Sequence, residues 1–398
     1  MMHWLVLLGG SWLTVWLFLL LAYVRPLWAC WKEPVLKCPV LILESDDWGA
    51  GPLEQAEALD RIVHYLSGFR DQTGHPAVMT LGIILEVPDG ERIRQDDLRA
   101  YHGLRINSPV FAPVRSALDA GIEARVLAPQ LHGLTHYRPS TLLKLAGNNA
   151  QVREWLTGSS PATTETLPDA LQSNWIDAAS LPSLPLSDAE IEHEARDACA
   201  AYREVFGPPR VAVATTFIWS EQVEQAWKEQ GVDTVVTPGR RYTSRNILGQ
   251  PDGVDKQIYN GMISSRDLLY LVRDVYFEPA RGNGPEKIID GAIAKTALGQ
   301  PTLVETHRFN FLGPSADTNL GALCDALARI MARWPQIRFL SSAELADVYR
   351  DLDPNWIESR VAIRVRTWVK RVQGLPRFRK LSQMTGLILV LKLIGSSA

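Results

Sequence analysis

The chain reads Val40-Leu41-Ile42-Leu43-Glu44-Ser45-Asp46-Asp47-Trp48-Gly49 where an apolar run ends in two adjacent carboxylates. A short apolar run with β-branched residues predicts a buried strand. In parallel α/β sheets, sites lie in the loops that follow such strands. The stretch therefore predicts a strand of the central sheet and also the edge of that sheet where the chemistry lies.

A second motif, His132-Gly133-Leu134-Thr135-His136, follows another apolar run. Residues four apart on a helical turn share a face, so His132 and His136 could converge on one ion. Asp47 would complete a three-ligand site with an open position for water, and Asp46 could accept the proton of that water. The alternative is that the histidines are surface residues of a polar turn and that Ser45-Asp46-Asp47 is a helix cap. Since both motifs end predicted strands, we interpret the chain as a hydrolase candidate.

The rest of the chain alternates apolar runs with helical patterns. A capping box at Ser187 opens one helix, and Ser341 opens another. Such alternation predicts an α/β fold with a parallel sheet that is buried on both faces, either a barrel or an open doubly wound sheet. We interpret eight runs as strands: Val40–Ser45, Val78–Leu85, Glu123–Pro129, Val211–Phe217, Val232–Thr237, Leu268–Tyr276, Thr302–His307 and Ile337–Leu340.

The Asp-Asp pair followed by His-x-x-x-His resembles the polysaccharide deacetylase (NodB-type) superfamily, over about residues 38 to 350. The resemblance implies a distorted (β/α) barrel of about seven strands that removes an N-acetyl group from an amino sugar. It implies that Asp46 is the catalytic base. It also implies that Asp47, His132 and His136 bind a divalent metal, which we expect to be zinc. It also implies a general acid, which His307 matches at the end of the run Thr302–Arg308.

Two departures from that family are visible. The usual Arg-x-Pro motif after the middle strand is missing, and Val211–Trp219 stands at the corresponding place. The second position of the histidine motif is Gly133 instead of Ser or Thr. The arginine that orients the base is therefore unassigned, and the sequence does not choose among Arg240, Arg241 and Arg308.

Residues 138–186 break the alternation with a stretch rich in Ser, Thr, Pro and Ala. Because long irregular insertions are often lids, we predict that this segment covers a substrate groove, with Trp155 or Trp175 stacking on a sugar. The alternative is a surface insertion whose tryptophans pack locally. Four residues that flank the motifs are candidates for substrate contact: Trp48, Tyr137, Trp219 and Arg308. For Tyr137 and Arg308, support of the neighbouring metal and acid residues is the preferred interpretation.

The composition excludes some classes of function. The net charge of −3 gives no sign of nucleic-acid binding, and the four cysteines have no C-x-x-C spacing, which argues against a zinc-cysteine or redox motif. The carbohydrate and a membrane are the only partners that the sequence predicts, and protein partners stay unknown.

The sequences of the two ends of the chain predict that the protein is attached to a membrane. Residues 1–33 contain about twenty uncharged residues in a row, which predicts a transmembrane anchor, with a cleaved signal peptide as the alternative. Basic residues follow this segment, which favours a catalytic domain (38–352) on the cytoplasmic side. Residues 353–398 predict a basic amphipathic tail at a membrane surface or, as the alternative, a last helix packed on the domain.

Two other functions remain open from the sequence. A glycoside hydrolase could use Asp46 with Glu44 or Glu305 as its pair of carboxylates. A non-catalytic saccharide-binding membrane protein is suggested by the missing Arg-x-Pro motif.

Overall fold

The central element is a parallel sheet, seen in a computed structural model that describes residues 2–159 and 161–397. The chain has an α/β fold, as predicted. The nine strands of this sheet, numbered along the chain, are β1 (Val40–Gly49), β2 (Met79–Ile84), β3 (Leu127–Gly133), β4 (Val211–Val213), β5 (Thr234–Thr237), β6 (Leu269–Val272), β7 (Val275–Tyr276), β8 (Thr302–His307) and β9 (Arg338–Phe339).

The strands run in the spatial order β6-β5-β4-β3-β2-β1-β8-β7, with β9 added beside β1, and every pairing is parallel. The sheet curls, as a (β/α) barrel requires. Only Arg273 and Asp274 separate β6 from β7, yet β6 pairs with β5 and β7 pairs with β8. The single segment 269–276 thus touches both edges of the curled sheet. With this segment counted as one strand and β9 left aside, the sheet has the seven strand positions of the expected barrel.

Helices follow most strands and cover the outside of the barrel. Both predicted capping boxes are present, at Ser187 and Ser341. The helices are α1 (Met2–Ala22), α2 (Val24–Lys32), α3 (Gln55–Leu66), α4 (Gly90–Gln95), α5 (Ala112–Glu123), α6 (Pro139–Ala146), α7 (Ala150–Leu156), α8 (Asp188–Phe206), α9 (Glu221–Glu229), α10 (Pro285–Ala297), α11 (Ala316–Arg333), α12 (Ser342–Asp351), α13 (Val361–Gln373), α14 (Pro376–Met384) and α15 (Leu387–Ser397).

The two faces of the sheet bury two separate clusters because side chains alternate along each strand. On β1, Leu41 and Leu43 belong to the large cluster shared with the surrounding helices. Val40 and Ile42 point the other way, into a cluster that includes Leu345 of α12. This second cluster fills the barrel interior below the carboxyl ends of the strands.

The insertion after the histidine motif is folded. It contains α6, α7 and the paired strands Ile176–Asp177 and Leu184–Pro185. Leu142, Val152 and Leu171 belong to a small hydrophobic cluster that the insertion shares with Ile93 and Tyr137.

The N-terminal apolar segment is divided. Among the described residues, no single helix has the length and hydropathy to cross a bilayer, although Trp12–Ala22 and Val24–Lys32 pass that test as a pair bent by 65°. Pro26 accounts for the break, since its ring excludes the carbonyl of Ala22 from a continuous helix. The predicted single anchor helix is therefore two helices. At the other end, α13, α14 and α15 pack against them, which corresponds to the packed alternative for the tail.

Candidate active site

Strand alternation brings the charged residues of the site together. On β1, the inward positions Val40 and Ile42 are continued by Glu44 and Asp46. On β8, Leu303 points inward, and the alternate positions that follow it on the same face are Glu305 and His307. Since β1 and β8 are neighbours, Glu44 pairs in register with Glu305, and Asp46 pairs with His307. The apolar floor of the barrel thus becomes a polar layer near the carboxyl ends of the strands.

Adjacent residues on a regular strand point to opposite faces, so Asp46 and Asp47 could not both face the barrel without an irregularity. The irregularity is a bulge: the register between β1 and β2 shifts between Ser45 and Trp48. Asp47 takes a left-handed backbone conformation with φ of 75°. Strained conformations of this kind concentrate at functional sites. The bulge turns both carboxylates toward one cavity.

The two histidines converge without a helix. His132 lies within β3 and His136 in the turn that follows, and their ring centroids are 5.0 Å apart. The helical turn expected between them is therefore wrong, although their convergence is as predicted. Gly133 has φ of 153°, and a Cβ there would lie 2.7 Å from the carbonyl oxygen of Thr135. The close turn explains why glycine occupies this position.

The ligand atoms of Asp47, His132 and His136 lie within 4.8 Å of one another, and all three residues are buried. Asp47 Oδ1 is 3.2 Å from His136 Nε2 and 3.5 Å from His132 Nε2. A tetrahedral ion with bonds of about 2.0–2.2 Å separates its ligands by about 3.3–3.6 Å. Asp47 Oδ1 also has no hydrogen-bond partner, which an ion would supply. These residues fit a divalent metal.

The backbone orients the first histidine. His132 Nδ1 lies 3.0 Å from the carbonyl oxygen of Val213, to which it can donate a hydrogen bond. With the proton on Nδ1, Nε2 offers its lone pair toward Asp47. Metal-binding histidines generally use this arrangement.

Arg273, between β6 and β7, is the arginine that contacts Asp46. Its side chain is fully buried and donates to Glu44 at 2.9 Å, to Glu305 at 3.2 Å and to both oxygens of Asp46. A two-pronged pair of this kind fixes the orientation of a carboxylate. Ser342 donates to the other oxygen of Glu44.

The three candidate arginines lie elsewhere. Arg241 pairs with Glu224 and Asp255, Arg308 pairs with Glu165, and Arg240 is exposed. A signal for Arg273 was present in the sequence, because it is the first charge after the apolar residues of a predicted strand.

Opposing effects set the charge of Asp46. Burial alone would raise the pKa of its carboxyl, but the charge of Arg273, with a smaller contribution from His132, lowers that pKa to about 2. Burial raises the pKa of Glu44 and of Glu305 despite the same arginine. Among these three carboxyl groups, Asp46 is therefore the one whose pKa is lowered, and its ionised form is favoured.

His307 lies beside Asp46, at the matching position of the neighbouring strand β8. Its Nδ1 lies 2.5 Å from Glu278 Oε1, and Asn310 donates to the other oxygen of Glu278 at 2.9 Å. Burial would lower the pKa of His307, yet the hydrogen bond to Glu278 and the charges of Asp47 and Asp46 raise it to about 9. The neighbouring carboxylates thus favour the protonated form of the imidazole.

A cavity of about 540 Å³ opens onto these groups. Asp46, Asp47, His132, His136 and His307 all line it. The insertion contributes part of the wall, through Glu165, Asp169, Ala170 and Gln172. Part of the predicted lid thus borders the site.

The four residues predicted to contact substrate are not among those that line the cavity. Trp48, Tyr137, Trp219 and Arg308 are each at most 1% exposed. Trp48 donates to Ser45, Trp219 donates to Glu224, and Tyr137 hydrogen-bonds with Tyr101. Their contacts are structural, because the positions beside each motif point away from the cavity.

The tryptophans of the insertion pack locally, which corresponds to the alternative interpretation. Trp155 donates to Thr163 and stacks edge-on against Tyr137 at 5.0 Å, and Trp175 is buried against Trp227. Phe309 is the aromatic residue that lines the cavity near His307, to which its ring is parallel within 16°.

Several solved structures are similar to this chain. One, from Mycobacterium smegmatis and assigned as a polysaccharide deacetylase, matches at TM-score 0.42 and 12% identity, with 82% of this chain and 97% of that chain covered. A family 4 carbohydrate esterase from Streptomyces lividans in complex with acetate matches at TM-score 0.34 and 12% identity, with 76% and 91% covered.

A 4-alpha-glucanotransferase from Thermococcus litoralis matches at TM-score 0.38 and 11% identity, with 78% of this chain covered. This chain spans 40% of the length of that enzyme. No family model matches the sequence, and no curated protein does. All these TM-scores lie below 0.5, so the likenesses carry no conclusion about function.

Proposed function

We propose that this protein is a metal-dependent hydrolase that removes an N-acyl group from an amino sugar in a saccharide. One observation carries the proposal: the ligand cluster of Asp47, His132 and His136 shares its cavity with an ionised carboxylate, Asp46, and a protonated imidazole, His307. Amide hydrolysis requires a proton acceptor for water and a proton donor for the departing amine. The cavity supplies one of each.

In this reaction Asp46 accepts a proton from the attacking water as its oxygen bonds to the acyl carbon. Arg273 keeps Asp46 ionised and correctly turned, but the same ion pair makes it a weak base. The water must therefore be acidified, and a bound divalent cation supplies that acidification together with polarisation of the carbonyl. Two imidazoles and one carboxylate suit zinc, which is the ion we expect.

His307 acts on the other side of the bond. When the C–N bond breaks, its proton passes to the nitrogen, which leaves as an amine together with a carboxylate product. Glu278 holds the ring in place and stabilises the protonated form. The saccharide nature of the substrate is supported by the motif resemblance, and a polar cavity of about 540 Å³ has room for a sugar unit.

The glycosidase alternative has less support. Glu44 is fully buried, is bound by Arg273 and Ser342, and is not among the residues that line the cavity. Glu305 lines the cavity, but its Oε2 accepts a hydrogen bond from Arg273, which ties the carboxyl group to the same arginine as Asp46. The non-catalytic alternative would leave the joint presence of base, acid and ligand cluster without a role.

The test is product analysis on the full chain loaded with zinc, with N-acetylglucosamine oligomers as the probe. We expect free acetate and free amines, with no new reducing ends. Asp46→Asn and His307→Ala should each lower kcat by roughly 10²–10⁴ while the bound metal is retained. New reducing ends without acetate would replace the proposal with the glycosidase. A loaded, folded protein that releases neither product from a panel of N-acylated saccharides would overturn it.

A further inference from the structure

The two ends of the chain form one helical unit, the terminal bundle, made of α1, α2, α13, α14 and α15. Its buried cluster takes Leu19 and Leu27 from the first end and Val372, Phe378 and Leu391 from the second. The indole N–H groups of Trp12 and Trp16 both donate to the carbonyl oxygen of Thr385 at 2.8 Å. The sequence suggests two separate membrane segments, one at each end of the chain. In the structure these two segments pack together as a single helical unit.

Arg371 joins the terminal bundle to the barrel. Its buried guanidinium donates to carbonyl oxygens of Glu33 and Pro34, which lead into β1, and of Leu298 and Gly299, which lead into β8. These residues lie at the amino ends of the strands. The terminal bundle is thus fixed to the edge of the barrel opposite the candidate active site.

The surface of the terminal bundle is unusually apolar. Along α1, Leu13, Leu17 and Leu21 form a stripe at four-residue spacing, and each is about 60% exposed, at 62%, 58% and 61%. Phe18 beside them is 73% exposed, and Met384 between α14 and α15 is 69% exposed. A large exposed apolar surface marks a place where a partner or a membrane binds.

Charge identifies the partner. Residues 2–32 and 359–397 contain eleven Lys and Arg and no Asp or Glu, whereas the rest of the chain contains the other 30 bases and all 44 acids. Lys370, Arg377, Arg379 and Lys380 are exposed on the terminal bundle. Apolar side chains flanked by bases match the acyl chains and anionic phosphates of a lipid surface. A second copy of the bundle would bring like charges together.

We infer that the terminal bundle binds one leaflet of an anionic bilayer, with the α1 stripe among the acyl chains and the bases on the lipid phosphates, and that neither end crosses the membrane. The chain is then a monotopic protein whose barrel stands on the same side as both its ends. This inference is independent of the proposed reaction.

The test is sedimentation of the full chain with vesicles of phosphatidylcholine, with or without phosphatidylglycerol. We expect strong binding only with the anionic lipid. Leu17→Glu with Phe18→Glu should abolish binding, and Arg377→Glu with Lys380→Glu should weaken it by at least roughly thirty-fold, taking the usual contribution of each base near the surface. Ile247→Glu and Lys287→Glu, at exposed positions outside the terminal bundle, are matched controls and should bind as the wild type does.

A tag at residue 1 separates one-leaflet binding from a span. In vesicles to which the protein is added from outside, a protease should remove both the tag and the exposed loops of the barrel. A tag that only membrane rupture exposes would overturn the inference. Equal binding to vesicles with and without anionic lipid would also overturn it. The same holds if the Leu17 and Phe18 variant loses a dimer in solution but keeps its affinity for vesicles. Circular dichroism of each variant shows whether its fold is intact.

Discussion

Arg273 holds both carboxylate oxygens of Asp46 although 227 residues separate the two in the chain. The contact exists because Arg273 continues the inward face of β6 and Asp46 continues that of β1. The guanidinium of Arg273 thereby forms ion pairs with three carboxyl groups, those of Glu44, Asp46 and Glu305.

Replacing Arg273 should separate positioning from charge. Arg273→Lys keeps a cation but loses the two-pronged geometry, so kcat should fall by about 10²-fold with metal content unchanged. Arg273→Met leaves three buried carboxylates without their cation and should lower the free energy of unfolding by about 3–5 kcal/mol. Steady-state kinetics, elemental analysis and denaturant unfolding measure these effects. A lysine variant with the wild-type rate would show that Asp46 needs no such orientation.

Metal binding should depend on three residues. Asp47→Asn, His132→Ala and His136→Ala should each lose the divalent ion that the wild type binds near stoichiometrically, because each removes one of three ligands. Elemental analysis after dialysis gives the answer. His193→Ala is the control, since that histidine side chain is 69% exposed and pairs only with Asp197. Equal metal content in all four variants would contradict the ligand assignment.

Removing the partner of His307 should change the pH dependence. The acid form of His307 is required and is present below its pKa, which Glu278 helps to hold at about 9. In Glu278→Gln that pKa falls, so the alkaline limb of kcat should move to lower pH. The pH profile measures the shift. An unchanged limb would mean that another group donates the proton.

Because Gly82 has no side chain, the carboxylate of Asp46 can pack directly against its backbone. A Cβ at this position would lie 2.4 Å from Asp46 Oδ1. Gly82→Ala should therefore displace the carboxylate, lowering kcat at least tenfold and the stability by about 1–3 kcal/mol. Gly321→Ala in α11, where nothing lies within 4 Å of the new carbon, should leave kcat unchanged. Equal activity in both variants would mean that Asp46 tolerates the shift.

The sequence predicted the barrel and the five residues Asp46, Asp47, His132, His136 and His307 because each of them ends or follows a predicted strand. The carboxyl ends of neighbouring parallel strands lie at the same edge of the sheet. The position of these five residues at strand ends was therefore sufficient to predict that they lie close together. The catalytic roles themselves stay predictions until the variants are measured.

The position of Arg273 after an apolar run marked it as a residue of interest, but its contact with Asp46 was not predictable, because that contact depends on which strands meet when the sheet curls. The burial of Trp48 away from the cavity could not be predicted from the sequence for a related reason. A residue next to a motif alternates to the opposite face, and only the local bulge or turn decides which way it points. The break between α1 and α2 lies at Tyr23, inside the apolar run, so the hydropathy of the run does not reveal it, although Pro26 disfavours a continuous helix there.

The terminal bundle and the catalytic layer lie at opposite ends of the same strands. From Val40 to Asp46, β1 rises by about 20 Å at the usual spacing per residue. If the bundle rests on lipid, the cavity opens at least that far above the headgroups and faces away from them. A sugar joined directly to a membrane lipid would then be too short to enter, whereas the outer units of a longer glycan would arrive at the cavity while its lipid end stayed in the bilayer.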